Sequence, residues 1–131
     1  MMVGDPRSFY TTISVVPASI FDTQPIVLVA REAQSGDDLA RLLRERGITH
    51  LFLNFGEAMR DRSYGIFPWN EKTWHVFDDF WRGHIRLIWG SVSERPAKAL
   101  FVYEVQPDLN RADPANITPP NMFEVWKPKG D

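Results

Sequence analysis

The chain has 131 residues, a formal net charge of −2 and no cysteine. That length supports one domain with a real core and is too short for two of ordinary size. The balance, 44% hydrophobic and 24% charged, is globular and lacks the basic footprint of a nucleic-acid binder. Disulfide scaffolds and thiolate metal sites are excluded too, and no apolar run approaches the roughly 20 residues that cross a bilayer.

In chain order, Met1, Met2 and Val3 read either as the end of a strand whose beginning is missing, as in a fragment of a larger protein, or as a natural start with a frayed end. No basic-then-apolar signal layout follows. Residues 9–16 (FYTTISVV) alternate and are mostly β-branched or aromatic, which predicts a strand ended by Pro17. Thr23 and Pro25 predict a helix start, with Thr23 near the cap. Ile26, Val29, Ala30 and Ala33 then fall at helical spacing, although 26–29 (IVLV) also fits a short strand.

Ser35 and Asp38 predict a capping box. Leu39, Leu42 and Leu43 form an apolar stripe, and Gly47 supplies the left-handed stop. Residues 48–55 (ITHLFLNF) are apolar on both faces except at His50 and Asn54, the pattern of a central strand covered on both sides. Strand, helices and strand make a βαβ unit with strands 11–16 and 49–55 parallel.

Residues 56–62 are polar and suit a helical turn, and 63–69 (SYGIFPW) form an aromatic loop. Asn70 caps a helix that aligns Trp74, Phe77 and Trp81, with Phe80 beside them. Gly83 and His84 end it, with a cation at His84 suiting the helix dipole. Strands at 85–89 and 99–105 are joined by too few residues for a helical crossover, so an antiparallel hairpin is expected, with 99–105 exposed. From Gln106 onward the chain turns rich in proline, and Met122, Phe123, Val125 and Trp126 are the residues able to pin this tail to the body.

The strongest candidate site is the polar edge where the central strand ends, because ligands of open α/β sheets bind beyond the carboxyl ends of parallel strands. Asn54, Glu57, Arg60 and Arg62 lie there, with Tyr10 able to approach, and suit a sugar hydroxyl or an anion. The plainer reading has Asn54 closing the strand, Glu57 opening a short helix and the arginines solvated. His50, His75 and His84 show no metal-ligand spacing, with His50 read as hydrogen-bonded and partly buried. Asp78 and Asp79 read as solvated. Tyr64, Phe67, Trp69, Trp74 and Trp81 offer a stacking platform or, more plainly, core. No phosphate loop or nucleophile elbow is present, and Asn116-Ile117-Thr118 is a glycosylation pattern only in a secretory setting.

The order of parts, GDPRSFY, FDTQP, AREAQSGDDLARLLRERGITHLFLNFGEAMR, YGIF and FVYEV, resembles one family. It is similar to the soluble C-terminal region of multi-spanning, polyprenyl-phosphate-sugar-dependent membrane glycosyltransferases, of the mannosyltransferase and aminoarabinose-transferase-like kind. The resemblance covers roughly residues 3–105 and is most specific over 42–57. It implies an extracytoplasmic, periplasmic domain of a membrane-embedded parent chain, with the catalytic acid and the lipid-linked sugar site outside this segment. The family's Asn-x-x-Glu falls on Asn54 and Glu57, and no catalytic residue carries over.

The expected fold is α/β: a mixed sheet with a parallel βαβ core, flanking helices and a C-terminal antiparallel hairpin, over 1–105, followed by an extended tail at 106–131. The expected function is a non-catalytic accessory domain that binds no cofactor, no metal and no nucleic acid and does not itself span the membrane. A self-contained module or enzyme for a sugar phosphate or nucleotide, and a protein-interaction domain, remain alternatives. Outside the membrane context the expected location is cytoplasmic.

Overall fold

The computed structural model describes residues 1–3, 23–63, 68–91 and 99–107. The strand expected at 9–16, Tyr64 and Phe67 of the aromatic loop, and the tail beyond Pro107 lie outside these residues. Eight elements follow in order: β1 (Met2–Val3), α1 (Pro25–Glu32), α2 (Gly36–Glu45), β2 (His50–Asn54), α3 (Phe55–Ser63), α4 (Glu71–Gly83), β3 (Ile85–Ser91) and β4 (Leu100–Val105).

The helices start and stop for local reasons. Pro25 occupies the first turn of α1 and Gln24 is its cap residue without a side-chain cap bond. The cap thus lies next to Thr23, as the sequence suggested. The ambiguous run is helical because Ile26, Val27, Val29 and Ala30 are buried together while Leu28 faces out. In α2 the Ser35 hydroxyl accepts the Asp38 N–H at 3.1 Å, and the Asp38 carboxylate accepts the Gln34 N–H at 2.9 Å.

Gly47, at φ +76°, ends α2 in a Schellman motif. Its N–H donates to the Arg44 carbonyl, and the Ile48 N–H reaches back to Leu43, each at 2.9 Å. In α4 the Asn70 and Thr73 side chains cap each other's backbone. Within α2 the buried stripe is Leu39, Ala40 and Leu43. Leu42 is only half-buried, because it sits at the margin of the face turned to α4.

The sheet order is β1-β2-β4-β3, and it corrects the expected fold class. A parallel βαβ core built on strands 11–16 and 49–55 does not organise the described sheet. β2 pairs antiparallel with β4 over its whole length, from His50 opposite Glu104 to Asn54 opposite Leu100. β4 pairs antiparallel with β3 in turn. Parallel pairing among the described residues is confined to Met2 and Val3 against Phe52 and Leu53. Having apolar residues on both faces marks β2 as interior, and an interior strand needs neighbours on both sides without specifying their direction. β4 is likewise interior, so the strand expected to be exposed is flanked, and β3 is outermost among the described strands.

Alternation sets the two faces. Leu51, Leu53, Ile85, Phe101, Tyr103 and Val105 are buried on the inner face. The Trp81 ring stands edge-on to Tyr103 there, with centroids 4.8 Å apart. Trp69, Trp74, Phe77 and Phe80 extend the same core, each such side chain contributing about 1.5–3 kcal/mol by burial. The aromatic residues considered as a stacking platform are therefore core wherever they are described. On the opposite face Phe52, Val102 and Trp89 stand in one cross-strand row. A register shift between Leu87 and Trp89 leaves Ile88 as the extra residue of a bulge.

At the other margin the Met1 amino group donates to the His50 carbonyl at 2.8 Å. Burial lowers its pKa.

Candidate functional site

The edge after β2 is where the sequence placed its site. Asn54, 8% exposed, accepts the Glu57 N–H on its Oδ1 at 3.2 Å and so caps α3. The Phe55 N–H donates to the Ala99 carbonyl at 3.1 Å, tying this corner to the start of β4. The Glu57 carboxylate forms an ion pair with Arg60 one turn on, and an acid in the first turn complements the helix dipole. Asn54, Glu57 and Arg60 are therefore brought together at the start of α3, which Asn54 caps and Glu57 and Arg60 belong to. The Arg62 side chain and Tyr10 lie outside the described residues.

A second polar cluster joins α2 to α4. A shallow cleft of about 320 Å³ is lined by Gln34, Ser35, Gly36, Lys72, His75, Val76 and Asp79. At Gly36 the helices approach so closely that a Cβ would lie 2.5 Å from Asp79 Oδ2 and 2.6 Å from the Phe80 nitrogen. No side chain fits there without moving α4 backbone. Asp79 is thus half-buried against the start of α2, and Asp78 pairs with Arg82 at 3.0 Å, so neither is simply solvated. His75 is exposed, 3.9 Å from Glu71.

Below the cleft lies a pair that the sequence did not reveal. His84, 1% exposed, closes α4 and stacks on Phe80, the ring planes 7° apart. Its Nδ1 lies 3.1 Å from the Gln106 carbonyl and its Nε2 2.5 Å from Asp37 Oδ1. A carbonyl only accepts, so Nδ1 is a donor, and Nε2 faces the Asp37 carboxylate. The Gln106 N–H returns to the His84 carbonyl at 2.6 Å, and Arg44 donates to the Val105 carbonyl at 2.9 Å. The end of β4 is thereby clamped by α2 and by the α4–β3 junction. His84 has a specific carboxylate partner 47 residues away, which no local spacing could indicate.

His50, by contrast, is exposed, with its Nδ1 2.8 Å from the Thr49 hydroxyl. Pairing with β4 aims it at the open face, so it is not the partly buried histidine expected from alternation with Phe52. Among the described residues no three His, Cys, Asp or Glu side chains gather as a metal site, and no helix is long and apolar enough to cross a membrane.

Besides the Met1 amino group, Asp38, Arg41 and Tyr103 have shifted ionisation, Arg41 being raised by its bonds to Asp38 and Glu45. The backbone hydrogen bond from Gln34, and then the Arg41 side chain, hold Asp38 below its usual value. Burial raises Tyr103, whose hydroxyl has no hydrogen-bond partner among the described residues.

Comparison with protein-family models, curated proteins and solved structures gave no match. The chemistry on view is therefore that of the side chains themselves: helix capping at Asn54, a local ion pair at Glu57–Arg60, and an interelement clamp at Asp37–His84.

Proposed function

We propose that this chain is a non-catalytic, extracytoplasmic accessory domain of a membrane glycosyltransferase-like protein. In this reading it is joined to a membrane-embedded parent chain that holds the lipid-linked sugar and performs the transfer, and it sits on the periplasmic face. The observation that carries the reading is how residues 42–57, the stretch behind the resemblance, are used. Leu43 packs in the core, Gly47 stops α2, residues 50–54 form the interior strand β2, and Asn54 and Glu57 cap and charge the start of α3. A stretch whose Gly47, Asn54 and Glu57 all serve the scaffold suits a domain retained for its shape.

The test is the coding sequence upstream of Met1. Several apolar segments of about 20 residues in the same frame are expected. A stop codon and ribosome-binding site directly upstream would overturn the proposal. Thermal melts with sugar phosphates and nucleotides separate it from a self-contained binding module. A binder gains stability by mass action, and a gain abolished by Glu57→Ala would replace this reading with that one.

A further inference from the structure

His84 is a buried titratable side chain that engages a partner at each ring nitrogen. Its Nδ1 donates to the Gln106 carbonyl. A neutral imidazole has one N–H, so with that proton on Nδ1 its Nε2 offers only a lone pair. Nε2 nevertheless lies 2.5 Å from Asp37 Oδ1. Two acceptor atoms come this close only with a proton between them. The contact therefore holds one proton beyond the one on Nδ1, shared between the ring that closes α4 and a carboxylate in the first turn of α2.

Loss of that proton leaves one N–H for two partners, and the two are not equal. Gln106 is half-buried, and its carbonyl is fixed by the strand end. There the Gln106 N–H returns to the His84 carbonyl and Arg44 holds Val105. A backbone carbonyl in that position has no easy route to another donor. Asp37 is mostly exposed, and a side-chain rotation takes its carboxylate into water. The ring keeps Gln106 and lets Asp37 go. Among the described residues, α2 brings Asp37 and Arg44 to this junction. α4 adds Asp79 against Gly36 and the Asp78–Arg82 pair, and Arg86–Glu104 joins β3 to β4.

We propose that Asp37–His84 is a proton-operated latch. With the shared proton it ties the first turn of α2 to the end of α4. As pH rises and the proton is lost, α2 is released while the ring stays on Gln106. Ser35 and Gly36, directly before Asp37, line the cleft between the two helices, so the latch holds one wall of that cleft. The proposal is independent of any glycosyltransferase context.

Nuclear magnetic resonance on the full chain tests it, with pH raised through the titration of the His84 ring signals. Below that titration, Overhauser contacts between the ring and the Asp37 Hβ protons and a single Asp37 rotamer are expected. Above it, those contacts should be lost and the rotamer averaged, while contacts between the ring and Gln106 persist. Asp37 behaviour that is the same on both sides overturns the proposal. So does a ring that never titrates while the chain stays folded, or a release of Gln106 with Asp37 retained.

Stability gives a second measurement. In a double-mutant cycle of Asp37→Ala and His84→Gln, the coupling should be present below the titration of the parent ring and lost above it. An equal coupling on both sides also overturns the proposal.

Discussion

Helices α2 and α3 both begin with polar side chains, and they use them at different ranges. At α3, Asn54 caps its own helix and Glu57 meets Arg60 three residues on. At α2 the Ser35–Asp38 cap is just as local, but Asp37 on the same turn reaches His84, 47 residues away, and Gly36 admits the backbone of α4. At α3 these side-chain contacts stay within one turn. The start of α2 is where three elements are joined, so its loss should be felt across the domain rather than within one turn.

The largest effect that would sharpen this contrast is expected at Gly36. Gly36→Ala forces a methyl group against the Asp79 and Phe80 backbone, and overpacking of this kind costs about 1–3 kcal/mol, with more where backbone must shift. The denaturant midpoint should fall accordingly. A midpoint unchanged from the parent would mean that α2 and α4 do not approach as described.

Next comes the clamp, as a double-mutant cycle of Asp37→Asn and His84→Gln. A hydrogen bond to a charged group is worth about 1.5–3 kcal/mol, and the exposure of Asp37 (65%) lowers the expected coupling to about 1 kcal/mol. Additive single effects would show that the two side chains do not act as a pair.

Asn54→Ala is expected to cost about 1 kcal/mol as a lost cap. It should raise hydrogen exchange in α3 without altering exchange in α4. Loosening of both helices would break the contrast drawn here.

The smallest effect concerns acid. Asp38 is held below its ordinary value in the folded chain, so its contribution is present above the unfolded pKa and disappears as pH falls through the folded one. Asp38→Asn should therefore flatten the decline in stability below about pH 4. An identical acid limb in parent and variant would refute that assignment.

What could be read from the sequence follows the same division by range. Gly47 as a helix stop, Ser35 and Asn70 as caps, and the aromatic stripe of α4 are each fixed by residues three to five apart, and the chain forms them as expected. The pairing of β2 with β4 brings together residues about 50 positions apart, and nothing in either strand's alternation states the direction of its neighbour. Asn54 and Glu57 were legible as a polar edge, yet their roles depend on which backbone groups each meets. Asp37 gave no signal, and His84 was legible only as the residue that ends α4. A lone histidine after a helix and an acid in another helix's first turn are common, and only the crossing of α2 over α4 makes them partners.

Gly47 carries one more consequence. A Cβ placed there would meet nothing within 4 Å, so the position asks for handedness and not for smallness. A D-alanine introduced at residue 47 by chemical ligation would adopt φ +76° without strain while narrowing the unfolded chain's freedom. It should raise the melting free energy by about 0.4–1 kcal/mol, whereas its mirror image, L-alanine, should lower it. The same atoms, reflected, would have opposite effects on the fold.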